Sequence, residues 1–360
     1  MIREVVPGVQ RVRDRLGPPS AAAKLPTMRT YRNPVWDGYC ADPFVWRHAD
    51  RWYAVGTGES SASDAAADHL AGHGPGERLF PLLRSHDFAT WEFVGEALLR
   101  PDPALGVEFW APAVAACDGT FFLYYSVGPG HQLRVATSAT PEGPFRDQGP
   151  LVPPGTLPFA IDPHPFRDDD GTWWLFYARD FLDLGDGWRA GTALAVDRLI
   201  DMRRLAGEER VVLRARHDWQ RFQANRSMYG QVWDWHTLEG PCVVKRRGRY
   251  WCLYSGACYG NDSYGVDWAV ADAVTGPWLE QGAEHGPRLL TTVPGHVLGP
   301  GHNSLVTGPD GADWLVYHAW DPAATKRRMC IDRITWTDAG PQCAGATWTD
   351  QPLIRSTLPG

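Results

Sequence analysis

Five times along the chain a short run of apolar and small residues passes through a polar turn rich in Gly, Asp or Arg. It then returns as a strand crowded with aromatic side chains. The runs are Asp42–Val45 to Trp52–Gly56, Trp110–Val114 to Phe121–Ser126, Ile161–Phe166 to Trp173–Tyr177, Glu239–Val244 to Tyr250–Ser255, and Gly301–Val306 to Trp314–His318. Each unit reads as a β-hairpin. From Pro43 to Pro112, Pro163, Pro241 and His302 the steps are 69, 51, 78 and 61 residues. That is long enough for a four-stranded sheet with its loops and too irregular for a solenoid, so the pattern predicts an all-β chain folded as a five-bladed β-propeller.

In a propeller the innermost strand of every blade lines one axis, so equivalent positions in different blades face each other. Asp42, Asp162 and Glu239 are expected at that equivalent point in blades one, three and four. Turn chemistry is the plain alternative, since Asp-Pro and Glu-Gly-Pro also punctuate strand entries. A turn would accept Ser, Asn or Gly as readily, and three acids recurring in register favour a carboxylate site instead.

Read together, Asn33-Pro34-Val35, Gly38-Tyr39-Cys40-Ala41-Asp42-Pro43, Trp110-Ala111-Pro112, Ile161-Asp162-Pro163 with Asp168-Asp169-Asp170-Gly171, Glu239-Gly240-Pro241 and Gly299-Pro300-Gly301-His302-Asn303-Ser304 resemble glycoside hydrolase family 43 from about residue 31 to 355. Arg327 to Trp336 is similar to that family's last blade. Ala113 departs from it, because many members carry an acid after Trp-Ala-Pro. The resemblance implies inverting hydrolysis with Asp42 as general base, Glu239 as general acid and Asp162 tuning and orienting Glu239. Inversion needs the two carboxyls roughly 6.5 to 9.5 Å apart, so that a water fits between base and sugar. The same resemblance implies that His302 lies near the axis, where it holds a structural calcium mostly through waters, with no cofactor required for the chemistry. It also implies that Arg327 contacts substrate or carboxylates, although the adjacent Arg328 leaves that register open by one residue. The expected substrates are α-L-arabinofuranosides or β-D-xylosides on short plant-cell-wall oligosaccharides, cleaved from the chain end. Other carbohydrate enzymes of this shape stay open: arabinanases, galactanases, fructan-type hydrolases, phosphorylases, or a non-catalytic carbohydrate-binding propeller. Against the fructan type stand Ala41-Asp42-Pro43 and Ile161-Asp162-Pro163, where that group would show Asn-Asp-Pro and Arg-Asp-Pro.

Composition narrows the partners. The chain has 360 residues, 44% of them hydrophobic, and a net charge of −7 with both signs interspersed, so no basic face is expected to seek nucleic acid. No stretch approaches about 18 uninterrupted apolar residues, and no membrane partner is expected. Residues 1–28 carry Arg3, Arg11, Arg13, Arg15 and Lys24 without a signal-peptide apolar run. They read as an N-terminal extension to a catalytic domain of residues 29–360. The seven cysteines are odd in number and lack Cys-x-x-Cys spacing, and read as buried thiols of a cytoplasmic protein.

Eighteen tryptophans exceed what a chain of this length usually holds. Trp52, Trp173, Trp174, Trp251 and Trp314 sit in the aromatic strands and are expected between blades. Trp36, Phe109, Trp110, Tyr229, Trp233 and Trp235 lie beside the acidic positions or in the segment leading to Glu239, and are expected to line the sugar site. Arg214 to Leu238 shows no clean period and reads as a specificity loop. The insertion from Glu59 to Phe80 reads as a lid or a surface excursion.

Overall fold

The computed structural model of the chain describes residues 29–59, 78–128, 130–157 and 159–353. The expected extension (residues 1–28) and nearly all of the 59–80 insertion lie outside the described residues. Blade one is built from Ala41–His48, Arg51–Thr57, Arg78–Ser85 and Glu92–Leu99, and blade two from Phe109–Cys117, Thr120–Val127, Gln132–Ser138 and Arg146–Pro150. Blade three comprises Ala160–Arg167, Trp173–Phe181 and Gly191–Ile200, edged by Arg204–Leu205 and Arg210–Leu213. In blade four, Gln231–Arg246, Arg249–Gly256 and Gly265–Ala271 are completed by isolated bridges from Val266 to Leu290 and Val270 to Leu279. Blade five is Leu298–Thr307, Asp313–Trp320, Arg327–Thr337 and Gly340–Cys343. No α-helix occurs among the described residues.

What holds the blades together is a set of apolar clusters, one in each gap between neighbours. Val55, Leu82 and Leu98 of blade one meet Phe109, Leu123 and Phe145 of blade two. Between blades two and three stand Phe122, Tyr124, Leu175 and Tyr177, and between three and four Phe176, Leu194, Tyr250 and Trp278. Leu253 and Val266 pack on Leu315 and Tyr317 between blades four and five. Trp52 and Leu83 pack on Trp314 and Ile331 across the join of one and five. The expected core positions Trp52, Trp251 and Trp314 are buried, while Trp173 and Trp174 pack against clusters at partial exposure. Period-two strands put alternate side chains on the two faces of each sheet, so every blade feeds both of its gaps.

Two joins go beyond the four-stranded repeat. Gly191 and Thr192 pair in parallel with His236 and Thr237, which fuses blades three and four into one nine-stranded sheet. Gly191 is required there, since a Cβ would run into the His236 carbonyl oxygen. The ring closes where Arg29–Tyr31 pairs antiparallel with Gln351–Leu353. Beside that pair, the Asn33 side chain acts as one more strand residue. Its Nδ2 donates to the Ile331 carbonyl at 2.8 Å, and its Oδ1 accepts the Ile331 N–H at 2.8 Å.

Asn33→Ala leaves two buried backbone groups of Ile331 without their partner. It is expected to destabilise the propeller by about 2–4 kcal/mol, seen as a lower denaturant midpoint with unchanged slope. An unmoved midpoint would assign ring closure to the terminal strand pair and its apolar cluster alone.

Candidate active site

The site begins with a backbone irregularity that recurs in all five inner strands. Pairing with the second strand slips between Ala41 and Phe44, Trp110 and Ala113, Ile161 and His164, Glu239 and Cys242, and Gly301 and Ser304. Inside each slip one residue is left-handed: Asp42 (φ 49°), Ala111 (φ 48°), Asp162 (φ 60°), Gly240 (φ 57°) and His302 (φ 48°). Such a bulge re-aims a side chain out of the alternating pattern. Aspartate tolerates the left-handed region better than most residues.

This register corrects one expectation. Asp42 and Asp162 are equivalent, but Glu239 stands one position earlier, level with Ala41, Trp110, Ile161 and Gly301. In blade four Gly240 takes the left-handed place, and the extra residue before Pro241 shifts the acid by one. Gly240 also leaves room for the ring of His302, whose Cγ would stand 3.0 Å from a Cβ there.

Asp42 is buried, with a dense set of partners. Thr57 Oγ1 donates to Oδ2 at 2.7 Å while accepting the Ala111 N–H at 2.8 Å, so blades one and two both hold the carboxylate. Oδ1 faces Arg327 Nη1 at 3.2 Å and His302 Nδ1 at 3.2 Å. The Asp42 N–H donates to His318 Nδ1 at 3.0 Å, which leaves that neutral ring nitrogen an acceptor. Burial acts to raise the Asp42 pKa, but the Arg327 guanidinium and then His302 outweigh it and hold the carboxyl well below the usual carboxylate range.

Asp162 and Glu239 are shifted the other way. Burial first, then repulsion from Glu239 and Asp42, pushes Asp162 well above its usual value, although Gly240 N–H donates to its Oδ2 at 2.9 Å. Burial likewise raises Glu239 to about 7, opposed by the Tyr264 hydroxyl and by Arg327 and assisted by Asp42. His302, with Nδ1 3.9 Å from Asp162 Oδ2, is pushed down by burial and stays neutral near pH 7. Three carboxyls therefore stand at one axis, one held ionised and two inclined to keep protons. That is the division of labour an acid–base pair needs.

Around the carboxyls the expected residues divide. Arg327 is buried, its guanidinium against the rings of Tyr39, Tyr259 and Trp320 at 5.9, 5.0 and 5.8 Å. Arg328 instead pairs with Asp37 at 2.7 Å, so the open register resolves to Arg327. Trp110 is partly exposed and stacks on His131 at 4.2 Å, with Phe159 beyond it. Trp36 is partly exposed but packs against the join of blades one and five.

The hairpin from Arg221–Met228 into the start of Gln231–Arg246 carries Tyr229 and Trp233. Tyr229 donates its hydroxyl to Asp180 Oδ2 at 2.6 Å, and Trp233 Nε1 donates to the Met228 carbonyl. Two expectations fail. Phe109 is 2% exposed within the apolar cluster between blades one and two, and Trp235 is 1% exposed beneath Tyr229, so neither face is open to a sugar.

The sequence reading missed Thr57, Tyr259, Tyr264, His318 and Trp320. A topological signal was present. The second strand of each blade runs back to the end where the first began, so residues at and just beyond its close return to the carboxyls.

A calcium ion beside His302 would need six to eight oxygens at 2.3–2.6 Å. Among the described residues no group of three or more His, Cys, Asp or Glu side chains is placed to hold a metal ion. The axial cavity, lined by Asp42, Asp162, His302, Asn303 and the prolines that follow the bulges, measures about 20 Å³, room for about one water. The described side chains offer no direct shell for calcium.

Comparison with known proteins matches this geometry. Residues 31–341 match the family described as Glycosyl hydrolases family 43. The chain is 30% identical over 329 residues to "Beta-D-galactofuranosidase xynD" of Aspergillus niger, covering 86% of this chain and 83% of that one. It is 26% identical to the "Extracellular exo-alpha-(1->5)-L-arabinofuranosidase ArbA" of Cellvibrio japonicus, covering 83% and 84%. The solved structure of a thermostable family-43 glycoside hydrolase superposes with a TM-score of 0.75 at 29% identity, over 91% of this chain and 100% of that one.

The cytoplasmic expectation is overturned by these relatives. Besides ArbA, an endo-arabinanase of Bacillus subtilis and an exo-arabinofuranosidase of Streptomyces chartreusis, each 24% identical with 83–84% of this chain and 86% of theirs covered, are named extracellular. The free thiols misled because Cys40, Cys242, Cys252 and Cys330 are buried, and a buried thiol is inert in any compartment. With its family matched from the first strand to the last blade and its carboxyls gathered on the propeller axis, the chain belongs to glycosyl hydrolase family 43 and is a glycoside hydrolase.

Proposed function

We propose that this enzyme hydrolyses by inversion, with Asp42 as general base, Glu239 as general acid and Asp162 as the group that tunes and orients Glu239. It removes α-L-arabinofuranosyl or β-D-xylosyl residues from the ends of short plant-cell-wall oligosaccharides. The observation that carries the reading is the split in protonation. Asp42, beside Arg327, stays ionised to draw a proton from water, while Glu239, raised to about 7, keeps a proton for the leaving oxygen. Exo action is part of this reading. It is supported by the relatives from C. japonicus and S. chartreusis, both named exo-acting.

A second reading is favoured by the 30% identical A. niger relative, named a β-D-galactofuranosidase. β-D-Galactofuranose and α-L-arabinofuranose share the configuration of the furanose ring and differ in the chain carried on C4. One pocket could therefore hold either, provided it has room for the longer chain.

A panel of aryl α-L-arabinofuranosides, β-D-xylosides and β-D-galactofuranosides, followed by proton NMR, tests this directly. Preference for the arabinofuranoside or xyloside with first release of the inverted anomer is expected. Preference for the galactofuranoside would select the second reading. The retained anomer at early times would overturn inversion.

Glu239→Gln is expected to lower kcat on natural linkages by about 10²–10⁴-fold and to spare substrates whose leaving group needs no proton. Asp42→Asn is expected to lose both alike, because every substrate needs the activated water. Equal losses in Glu239→Gln would remove Glu239 from the acid role, and near wild-type turnover in Asp42→Asn would remove Asp42 from the base role.

The acid half of the pair is present below about pH 7 and lost as pH rises through it. Asp162 and Glu239 repel one another, so the last proton the pair holds is held more tightly than either would hold it alone. Asp162→Asn removes that repulsion and is expected to move the alkaline limb of kcat/KM to lower pH. A limb that stays in place would assign the raised pKa to burial and Asp42, without Asp162.

A further inference from the structure

Tyr264 directly precedes the strand Gly265–Ala271, and its side chain is fully buried. Its hydroxyl donates to Glu239 Oε1 at 2.6 Å, a short bond of the kind made to a carboxyl group. The ring cannot turn away. It stacks on His318 with centroids 5.8 Å apart and an interplanar angle of 8°, and Gly301 packs so closely that a Cβ there would collide with it. His318 in turn accepts the Asp42 N–H. One stacked pair of rings therefore touches both residues, Tyr264 at the Glu239 carboxyl and His318 at the Asp42 backbone N–H.

We propose that Tyr264 is the positioning residue of the proton donor: it occupies Oε1 of Glu239, leaves Oε2 as the oxygen that carries the proton, and stabilises the carboxylate left behind. The inference rests on the reading of Glu239 as the general acid. In the step itself the proton passes from Glu239 Oε2 to the glycosidic oxygen. The C1–O bond breaks with its electron pair on that oxygen, a water oxygen bonds to C1, and the water's proton goes to Asp42. Tyr264 keeps its own proton throughout. Its contribution is a hydrogen bond that strengthens as charge develops on Oε1, so it favours the state after transfer over the state before.

The other charged and titratable groups bearing on Glu239 act in different ways. Asp42 raises its pKa and Arg327 lowers it, Asp162 is itself raised by repulsion from it, and the thiol of Cys258 and the phenol of Tyr259 face it from the segment before Tyr264. These act through space, whereas the Tyr264 hydroxyl touches the carboxyl and works against burial. The sign of its removal follows. Without the hydroxyl the Glu239 pKa rises further, so the alkaline limb moves to higher pH while the acid becomes weaker.

Tyr264→Phe keeps the ring and its stack and deletes the bond. Relative to wild type, the alkaline limb of kcat/KM is expected to rise by about one pH unit. The kcat on poor leaving groups should fall about 10–100-fold, with dinitrophenyl glycosides changed less than about threefold and KM nearly constant. A limb that stays or moves down, or equal loss on both leaving groups, would overturn the proposal. Glu239→Gln measured beside it separates the two failures. If Glu239→Gln loses both substrates equally, the acid reading falls and this inference with it; if Glu239→Gln discriminates and Tyr264→Phe does not, only the role of Tyr264 falls. Should Tyr264→Phe fail to fold by circular dichroism, a neutron structure of the wild-type enzyme decides. Deuterons on Tyr264 aimed at Oε1 and on Glu239 Oε2 support the proposal, and a Glu239 deuteron on Oε1 overturns it.

Discussion

The site depends on a single backbone constraint: one left-handed residue at the same place in each of five inner strands. A strand that kept its pleat would send alternate side chains into the gaps on either side of the blade, and none would be free for the axis. The bulge breaks that alternation once per blade, and the residue at the break faces the axis, where Asp42, Asp162 and His302 meet. Left-handed backbone is unfavourable for residues other than glycine, so the arrangement persists because the surroundings enforce it. Prolines follow the break in four blades, and bonds between blades pin the rest. Thr57 joins the strand of blade one to Ala111 of blade two, Asp162 accepts from Gly240, His302 N–H donates to Ser255, and Ser304 donates to the Pro43 carbonyl.

The same ring explains why chemically similar carboxyls behave differently. Asp42 and Asp162 share a backbone conformation and comparable burial, yet one is driven below the usual range and the other above it. The difference is the neighbouring blade. Blade five brings Arg327 to within 3.2 Å of Asp42, and Tyr39, Tyr259 and Trp320 hold the guanidinium there with aromatic faces. Asp162 has Glu239 as its neighbour instead, so two acids share one low-dielectric space and cannot both ionise readily.

The fold was legible because its repeat is written twice, once in the short apolar runs and again in the aromatic strands that return beside them. Asp42 and Asp162 were legible for the same reason. Glu239 was found but assigned to the wrong position, since matching on Pro241 ignores the glycine that takes the left-handed place. Aromatic side chains were the poorest guide. Phe109 lies next to Trp110 in sequence, but alternation turns one into the gap between blades and leaves the other partly exposed. Trp235 is likewise buried by a hairpin that folds back over it. Conversely, Trp320 reaches the site from the far end of a second strand and Tyr264 from just before the third strand of blade four, where nothing local in the sequence marks them, and only the return path of the hairpin brings them in.

Blade four shows how Glu239 differs in kind from the two aspartates. Its first strand is the longest described, Gln231–Arg246, and it emerges from the hairpin rather than from a loop. Before reaching the axis it is gripped in parallel by Gly191 and Thr192 of blade three, so its position is set relative to Asp162 before Glu239 is reached. Because Glu239 sits one residue ahead of the left-handed Gly240, it keeps its strand pairing with Ser255 and joins the other carboxyls without a left-handed backbone of its own. The aspartates are placed by a strained backbone and held from several blades. Glu239 is placed by a sheet shared between two blades and stays partly exposed, whereas Asp42 is buried.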